Sequence, residues 1–306
     1  MTSSNDASAV EQALAIARAQ PGYLLAVVGP TASGKTSLAV AIAERIGGEV
    51  VSADSVQIYR RFDIGSGKPS AAERAQVPHH VIDAVDPLDK IDAARFADLA
   101  HAAIADVRAR GKVPIVCGGT YLWVKALLFG LAGAPAASPA TRERHRAIAE
   151  REGRPALHER LRGVDAETAA RLHPNDFVRV SRALEVHELS GRPMSAWQRD
   201  HGFARPVHRA RIMAIACEPA VLTERITSRA RAWLAAGWSQ EVEALLDGGF
   251  GDARAMASVG YAQVRAALAG EIEASELETA VVRATRVFAR RQRTWLNHVD
   301  VTWLRR

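Results

Sequence analysis

The order of apolar and helical segments along the 306-residue chain predicts an α/β fold, in which a parallel β-sheet is flanked by helices. Short apolar runs typical of buried strands lie at 24–28, 49–52 and 113–117, and helical patterns at 36–46 and 92–110 separate them. Strands that alternate with helices in this way form a parallel sheet. A further strand pattern at 211–217 is followed by helical patterns at 219–236, 239–247, 260–269 and 275–297.

The middle of the chain departs from this alternation. After a stretch at 133–140 that is rich in Gly, Ala, Pro and Ser, the residues to about 200 are charged and helical in pattern, with no strand pattern. We therefore predict an α/β core formed by residues 21–137 and 206–306, interrupted by a mostly helical insertion domain at 138–205. Residues 1–20 are predicted to be an N-terminal extension.

An eight-residue loop between the first strand and the first helix has the pattern G-x-x-x-x-G-K-T. It consists of Gly29, Pro30, Thr31, Ala32, Ser33, Gly34, Lys35 and Thr36. In this pattern the glycines let backbone N–H groups converge on phosphate oxygens, the lysine supplies charge, and the threonine hydroxyl can ligate Mg²⁺. The sequence therefore predicts a P-loop NTPase-like core in which this phosphate loop binds a diphosphate or triphosphate and Thr36 is the metal ligand.

Polar residues follow two strands at positions that should face the phosphate loop. In an open α/β sheet the ligand crevice lies outside the carboxyl ends of the strands. Asp54 comes shortly after the strand at 49–52, and Thr120 follows the pair Gly118 and Gly119. Each has a second interpretation, Asp54 as a turn cap and Thr120 as part of an ordinary strand-to-helix turn. We predict that both act on the substrate.

Two apolar runs lack the acidic residue with which a nucleotide-hydrolysing enzyme holds Mg²⁺. They end at Cys117 and Cys217, and Glu218 is the nearest acid. A motor protein or GTPase is therefore disfavoured. The two cysteines have no C-x-x-C partner, and we expect both to be buried, reduced thiols.

The formal net charge is +6, and the excess lies near the C-terminus. Residues 281–306 carry Asp300 as their one acid and these arginines: Arg283, Arg286, Arg290, Arg291, Arg293, Arg305 and Arg306. At about 100° per residue, four of them share one face of a helix: Arg283, Arg286, Arg290 and Arg293. The residues expected to pack on the opposite face are Leu277, Val281, Ala284, Phe288 and Trp295. A polyanionic partner is predicted.

The first 20 residues carry no targeting pattern. They contain neither a basic segment followed by an apolar one nor an apolar run long enough to span a membrane. We expect a cytoplasmic protein without membrane association, and a monomer.

Eight motifs, in order along the chain, resemble those of the tRNA dimethylallyltransferase (tRNA isopentenylpyrophosphate transferase) family. They are G-P-T-A-S-G-K-T (29–36), S-A-D-S-V-Q-I-Y (52–59), D-I-G-S-G-K-P (63–69), C-G-G-T-Y-L (117–122), H-P-N-D (173–176), S-R-A-L-E (181–185), S-V-G-Y (258–261) and R-R-Q-R-T-W-L (290–296). The ordered set is far more specific than any one motif. The resemblance implies transfer of the dimethylallyl group from dimethylallyl diphosphate to the exocyclic amine of adenosine 37, beside the tRNA anticodon, with Mg²⁺ and release of pyrophosphate.

The resemblance also implies roles for individual residues. Asp54 would accept the proton of the amine, Thr120 would help to place the substrates, and Lys35 and Arg229 would act on the diphosphate. The residues implied to contact the anticodon stem-loop of tRNA are Asp54, Ser55, Val56, Gln57, Thr120, Arg142, Val178, Arg179, Val180, Ser181, Arg182, Gly260, Tyr261, Arg290, Arg291 and Arg293.

Three other functions stay open on the sequence. An isopentenyltransferase that acts on free AMP would share the phosphate loop and the carboxylate, but would need no polynucleotide. A small-molecule P-loop kinase would share residues 24–60 without requiring the helical insertion or the arginine face. A non-catalytic RNA-binding protein would not depend on Asp54. Lys68 could contact a base or stabilise a turn, and it is left unassigned.

Overall fold

The computed structural model describes residues 4–297 and 299–305, and the chain forms two compact units. One consists of Met1–Leu128 and His208–Arg306, and the other of Phe129–Val207. The second unit thus begins before and ends after the predicted insertion at 138–205. Residues 1–3 of the predicted extension and Arg306 of the basic tail lie outside the described residues.

Six parallel strands form the sheet of the first unit. They are β1 (Leu24–Val28), β2 (Gly48–Ser52), β3 (His79–His80), β4 (Val113–Gly118), β5 (Ala210–Ile215) and β6 (Thr302–Leu304), and they lie in the order β3-β2-β4-β1-β5-β6. The register places Val27 opposite both Cys117 and Met213. All five residues of β1 are buried, as expected for a central strand that is covered on both faces. The predicted α/β fold is confirmed.

The helices before the second unit are α1 (Ser4–Ala19), α2 (Lys35–Ile46), α3 (Ala71–Gln76), α4 (Ala93–Ala109) and α5 (Tyr121–Phe129). Helix α1 covers most of the predicted N-terminal extension. Its Ala9, Val10, Ala13 and Leu14 are buried in the core cluster that α2 and the sheet also form. The described part of the extension therefore packs on the α/β unit. Asp92 caps α4 by accepting the N–H groups of Ala94 and Arg95.

The second unit is helical throughout. Its helices are α6 (Pro139–Glu152), α7 (Arg154–Val164), α8 (Ala166–Arg171), α9 (Phe177–Ser190) and α10 (Met194–His201). Leu157 and Leu161 of α7 pack with Val180 and Leu184 of α9 in a separate hydrophobic core. The mostly helical insertion that the sequence predicts is therefore present, with a core of its own.

The chain then returns to the first unit through β5 and four helices. These are α11 (Pro219–Ala235), α12 (Trp238–Asp247), α13 (Tyr261–Leu268) and α14 (Leu277–Leu296), with short 3₁₀ turns at Arg254–Ala257 and Ala274–Glu276. Leu222 and Ile226 of α11 pack against Ala289 of α14. Among the described residues, no helix is both long enough and apolar enough to cross a lipid bilayer.

Candidate active site

The phosphate loop connects β1 to α2 at the carboxyl edge of the sheet. Gly34 has φ 89° and Ala32 has φ 63°, so two residues of the loop adopt the left-handed conformation. The loop then enters α2 at Lys35. The first N–H groups of a helix have no carbonyl partner within it, and Lys35 and Thr36 of the first turn of α2 line the crevice.

A small cavity of about 60 Å³ lies over the phosphate loop. Lys35, Thr36, Asp54 and Arg229 line it, with Cys117 among the other lining residues. Burial lowers the pKa of Lys35, and the nearby Cys117 and Asp54 oppose that shift. Burial raises the pKa of Cys117 to about 11, so this thiol is protonated at neutral pH and is not a competing nucleophile.

Asp54 is held at the end of β2 by its own loop. Its Oδ1 accepts the backbone N–H groups of Val56 at 2.9 Å and Gln57 at 3.3 Å. Among the described residues, Oδ2 takes part in no hydrogen bond, although the side chain lines both the small cavity and the larger pocket beside it. Asp54 is therefore a turn cap through one oxygen, and the other oxygen is available to a substrate.

Thr120 links the loop after β4 to the loop after β2. Its Oγ1 accepts the backbone N–H of Ser55 at 3.1 Å and donates to Ser55 Oγ at 3.2 Å. The two strand ends approach closely at Gly118, where a Cβ atom would lie 2.2 Å from the carbonyl oxygen of Ala53. Glycine is therefore required at position 118 for Asp54 and Thr120 to face one crevice.

Arg229, on α11, reaches the phosphate loop from the opposite wall. Its guanidinium donates to Thr31 Oγ1 at 2.5 Å and lies 4.5 Å from the ring centre of Trp233. Burial lowers the pKa of Arg229 to about 10, with Asp54 opposing, so the side chain stays charged at neutral pH. One helical turn earlier, Arg225 donates to the carbonyl of Ser33 at 3.4 Å.

A larger pocket of about 490 Å³ continues from this cavity. Asp54, Thr120 and Arg229 form part of its polar lining. Its apolar walls include Trp123, Ile226, Trp233, Val281 and Phe288. Trp123 is fixed by stacking on Phe96, with ring centres 4.5 Å apart. The pocket thus places a carboxylate and the phosphate loop beside an apolar chamber.

Comparison with known proteins identifies the family to which the chain belongs. A family model described as IPP transferase matches residues 57–299. A tRNA dimethylallyltransferase from Sorangium cellulosum is 63% identical over 289 residues, which cover 94% of this chain and 92% of that protein. The chain belongs to the tRNA dimethylallyltransferase family. Another member, from Myxococcus xanthus, is 46% identical over 277 residues, covering 90% of each chain.

Solved structures agree with this assignment. The tRNA isopentenylpyrophosphate transferase of Bacillus halodurans is 35% identical, with a TM-score of 0.68 over 92% of this chain and 89% of that one. A eukaryotic dimethylallyltransferase captured acting on tRNA is 26% identical, with a TM-score of 0.69 over 89% of this chain and 69% of that one. The resemblance of the eight motifs to the tRNA dimethylallyltransferase family is confirmed, and the chain is a transferase.

Three side chains to which the sequence assigned no role organise the crevice of this chain. Lys68 is buried and donates to the carbonyl of Tyr59 at 2.6 Å and to the carboxylates of Asp63 and Asp83 at 2.7 and 2.5 Å. It therefore stabilises the loops after β2. Gln292 joins two loops of the crevice, as described below. Lys68 lies in the motif at 63–69 and Gln292 in the motif at 290–296, but neither motif shows which groups these side chains bind.

The third of these side chains is Glu241 of α12, which holds the loop at 63–65. Its carboxylate accepts the N–H groups of Asp63 at 3.0 Å and Ile64 at 2.6 Å, and the hydroxyl of Tyr261 at 2.6 Å. Burial, followed by the charge of Glu241, raises the pKa of Tyr261. Tyr261 and Gly260, which were predicted to contact tRNA, are buried, so the Tyr261 side chain belongs to the core rather than to an exposed surface.

The C-terminal helix α14 confirms part of the predicted pattern and corrects another part. In the described residues, the side chains of its arginines at 283, 286, 290, 291 and 293 make no ion pair with an acid. Leu277, Val281, Ala289 and Leu296 form the buried face. Phe288 and Trp295 were predicted to pack there but are 38% and 50% exposed. Phe288 faces the mouth of the large pocket, and Trp295 lies against Tyr121 near the end of the helix.

The second unit holds the other predicted RNA contacts. Val180 and Ser181 are buried, and Ser181 Oγ hydrogen-bonds His145 Nδ1 at 2.9 Å, so these two side chains belong to the core of the unit and not to a contact surface. Val178 is 75% exposed. Arg179 is exposed as well, although it pairs with Asp176.

Arg142 and Arg182 of this unit both bind the buried carboxylate of Glu185. The distances are 3.0 Å from Arg142 Nε and 2.6 Å from an Arg182 terminal nitrogen. Burial alone would raise the pKa of Glu185, but the hydrogen bonds from the two arginines and from the N–H of Ser138 hold it below its usual range. Both arginines therefore have a structural role, and their contact with tRNA stays a prediction.

Proposed function

We propose that this transferase moves the dimethylallyl group from dimethylallyl diphosphate to the exocyclic amine of adenosine 37 in tRNA and releases pyrophosphate. One observation carries the proposal: a phosphate loop, a carboxylate with an available oxygen and an apolar chamber share one pocket. An allylic diphosphate requires the phosphate loop for its diphosphate and the apolar chamber for its hydrocarbon group. An amine that loses a proton as it reacts requires the carboxylate.

The reaction breaks the bond between the allylic carbon and the diphosphate oxygen and forms a bond from that carbon to the adenine nitrogen. The electron pair of the broken bond leaves with pyrophosphate, and the nitrogen supplies the pair for the new bond. An adenine amine is a poor nucleophile that becomes acidic only as the new bond forms. We assign the uptake of this proton to Asp54, through Oδ2.

Stabilisation of the leaving group is the task assigned to the phosphate loop. Negative charge on pyrophosphate grows as the carbon–oxygen bond breaks, and Lys35, Arg229 and the N-terminal N–H groups of α2 meet it with positive charge. Because Lys35 and Arg229 are half-buried, water screens their attraction to this charge less than it would at an exposed surface. Alignment of the reacting atoms contributes a further amount, about 7–11 kcal/mol in favourable cases.

The hydroxyl of Thr36 is the group assigned to Mg²⁺. It lines the small cavity above the phosphate loop and offers an oxygen ligand of the kind that Mg²⁺ prefers, while Asp54 Oδ2 is assigned to the proton of the amine. Within the described residues, no group of three His, Cys, Asp or Glu side chains forms a metal cage, so the ion would share its coordination with phosphate oxygens and water. When bound, it would neutralise charge on the leaving group.

Binding of tRNA is assigned to the arginine face of α14. Arg283, Arg286, Arg290 and Arg293 line a groove of about 280 Å³ beside α11, and among the described residues none of them pairs with an acid. Such guanidinium groups are suited to phosphate oxygens of the RNA backbone. The target adenosine must leave its stack to reach Asp54, which costs less in a loop than in a duplex.

A transfer assay separates this function from its rivals. Labelled dimethylallyl diphosphate, Mg²⁺ and bulk tRNA should give labelled tRNA that carries the label on adenosine 37. Label on free AMP, with none on tRNA, would instead support the AMP isopentenyltransferase, and phosphoryl transfer from labelled ATP would support the kinase. The cytoplasmic location and the monomeric state stay predictions.

A further inference from the structure

Gln292, on α14, holds two loops of the crevice at once. Its Oε1 accepts the backbone N–H of Thr31 at 2.8 Å, and its Nε2 donates to the carbonyl of Gly119 at 2.9 Å. Thr31 belongs to the phosphate loop, and Gly119 directly precedes Thr120. One partner is a donor and the other an acceptor, so the site matches a carboxamide and neither a carboxylate nor an ammonium group.

The backbone around this amide is shaped to admit it. A Cβ atom on Gly119 would lie 2.4 Å from Gln292 Nε2, so the absence of a side chain at position 119 is what lets the amide reach the carbonyl. Thr31 is also held through its hydroxyl, which accepts a hydrogen bond from Arg229. α14 therefore fixes the backbone of Thr31, while α11 fixes its side chain.

The conformation of the phosphate loop explains why these hydrogen bonds to Thr31 are needed. Ala32, the next residue, has φ 63°, which is unfavourable for a residue with a side chain. The N–H of Thr31 is turned towards Gln292, so it is not one of the groups left for phosphate. Contacts within the protein thus fix the conformation of the first half of the loop. The N–H groups at the start of α2 remain available to bind the diphosphate.

We propose that Gln292 is a positioning residue for the diphosphate site, which presets the phosphate loop from the helix that carries the arginine face. This inference rests on the proposed function, because it takes the loop as the site of the prenyl diphosphate. Gln292 acts through Thr31 and Gly119. Loss of the Gln292 side chain should weaken binding of the diphosphate. The affinity for tRNA should stay unchanged, although the arginines on both sides of Gln292 in the sequence are assigned to the RNA.

The test compares Gln292→Met, which keeps the length of the side chain and removes both hydrogen bonds, with the native protein. Gln12→Met is the matched control, because Gln12 makes a similar pair of bonds with the N–H and carbonyl of Arg305, away from the pocket. Calorimetric titration with pyrophosphate and Mg²⁺ should give a dissociation constant roughly tenfold larger for Gln292→Met, as expected for two lost hydrogen bonds. The control should match the native protein, and all three should bind tRNA equally.

Gln292→Glu adds a readout that a merely structural role would not produce. The ionised carboxylate can accept from Thr31 but repels the carbonyl of Gly119, whereas the protonated acid can donate to it. Relative to the native protein at the same pH, its affinity for pyrophosphate should recover as the pH falls from about 8 to about 5, towards the range where a glutamate takes up a proton.

The outcomes distinguish the two proposals. If native protein binds pyrophosphate and Gln292→Met binds it equally well, Gln292 is not a positioning residue. The same conclusion follows if Gln292→Met and the control lose affinity alike, or if Gln292→Glu shows no recovery. If native protein does not bind pyrophosphate, the proposed function fails, and this inference fails with it.

Discussion

Ser55 donates its backbone N–H to Thr120 Oγ1 across 3.1 Å, and this hydrogen bond joins the loop after β2 to the loop after β4. Asp54 precedes Ser55, so the bond fixes the position of the proposed base relative to Thr120 and the loop after β4. The acceptor is a side-chain hydroxyl, so a single substitution at Thr120 can remove this hydrogen bond.

Thr120→Val should remove the acceptor while keeping the shape of the side chain. We expect turnover to fall roughly tenfold, since one hydrogen bond to a part-buried N–H is lost. Thr120→Ser retains the hydroxyl and should keep most of the activity. Steady-state rates at saturating tRNA measure the effect, and equal rates for Thr120→Val and native protein would show that the link does not matter for turnover.

Asp54→Asn separates the two roles of this residue. An asparagine side-chain oxygen can still accept the N–H groups of Val56 and Gln57, but an amide cannot take up the proton of the amine. We expect turnover to fall by roughly 10²- to 10⁴-fold, with tRNA affinity changed by no more than a few-fold. Loss of tRNA binding would instead make Asp54 a structural residue.

The arginine face of α14 should control the salt dependence of tRNA binding. Replacement of Arg286, Arg290 and Arg293 by glutamine should flatten the plot of log affinity against log salt by about 0.7–0.9 for each lost phosphate contact. Arg231→Gln is the control, because Arg231 already pairs with Glu278. If the triple variant and the control have the same slope, the groove does not bind the RNA backbone.

Glu49 on β2 should make folding stability depend on pH. Its buried carboxylate binds both terminal nitrogens of Arg110 and also His80 Nε2, and these contacts, led by the hydrogen bonds from Arg110, lower its pKa to about 2. Because the folded-state pKa lies below the unfolded value of 4.5, the contribution of Glu49 is complete above that value and is lost as the pH falls towards about 2.

Glu49→Gln should therefore lower the free energy of unfolding at neutral pH by roughly 1–3 kcal/mol. The difference from native protein should shrink as the pH is lowered from 4.5 to about 2. Urea unfolding at several pH values measures it. A difference that stays constant over this range would mean that the contacts of Glu49 do not depend on its charge.

The sequence predicted the elements whose patterns are long and regular. β1 and β4 are continuous apolar runs, β5 is one from Ile212 onwards, and α11 and α14 have helical periodicity over several turns. The predicted ends of each element therefore lie within two residues of the observed ends. β3 and β6 were missed because they are only two and three residues long. Such strands are defined by a neighbouring strand rather than by their own residues.

From the residues alone, the site was predictable in the phosphate loop and where a residue follows a recognisable strand, whereas Arg229 came from the family resemblance. Asp54 and Thr120 follow strands, and they line one pocket as expected. Gln292 and Glu241 lie on helices and act on loops far away in sequence, a relationship that no local pattern encodes. Phe288 was wrongly predicted to be packed. The helical period gives the direction in which its side chain points, but it does not show that this side chain lines a pocket.

The central claim is that the phosphate loop holds the diphosphate of a prenyl donor. Its most direct test is competition in the transfer assay, in which pyrophosphate is titrated against labelled dimethylallyl diphosphate at fixed tRNA, with native protein and with Lys35→Met. We expect competitive inhibition by pyrophosphate in the native protein and, in the variant, an inhibition constant larger by roughly tenfold, because a charge that meets the anion is lost. Inhibition by pyrophosphate that is unchanged in Lys35→Met would contradict it.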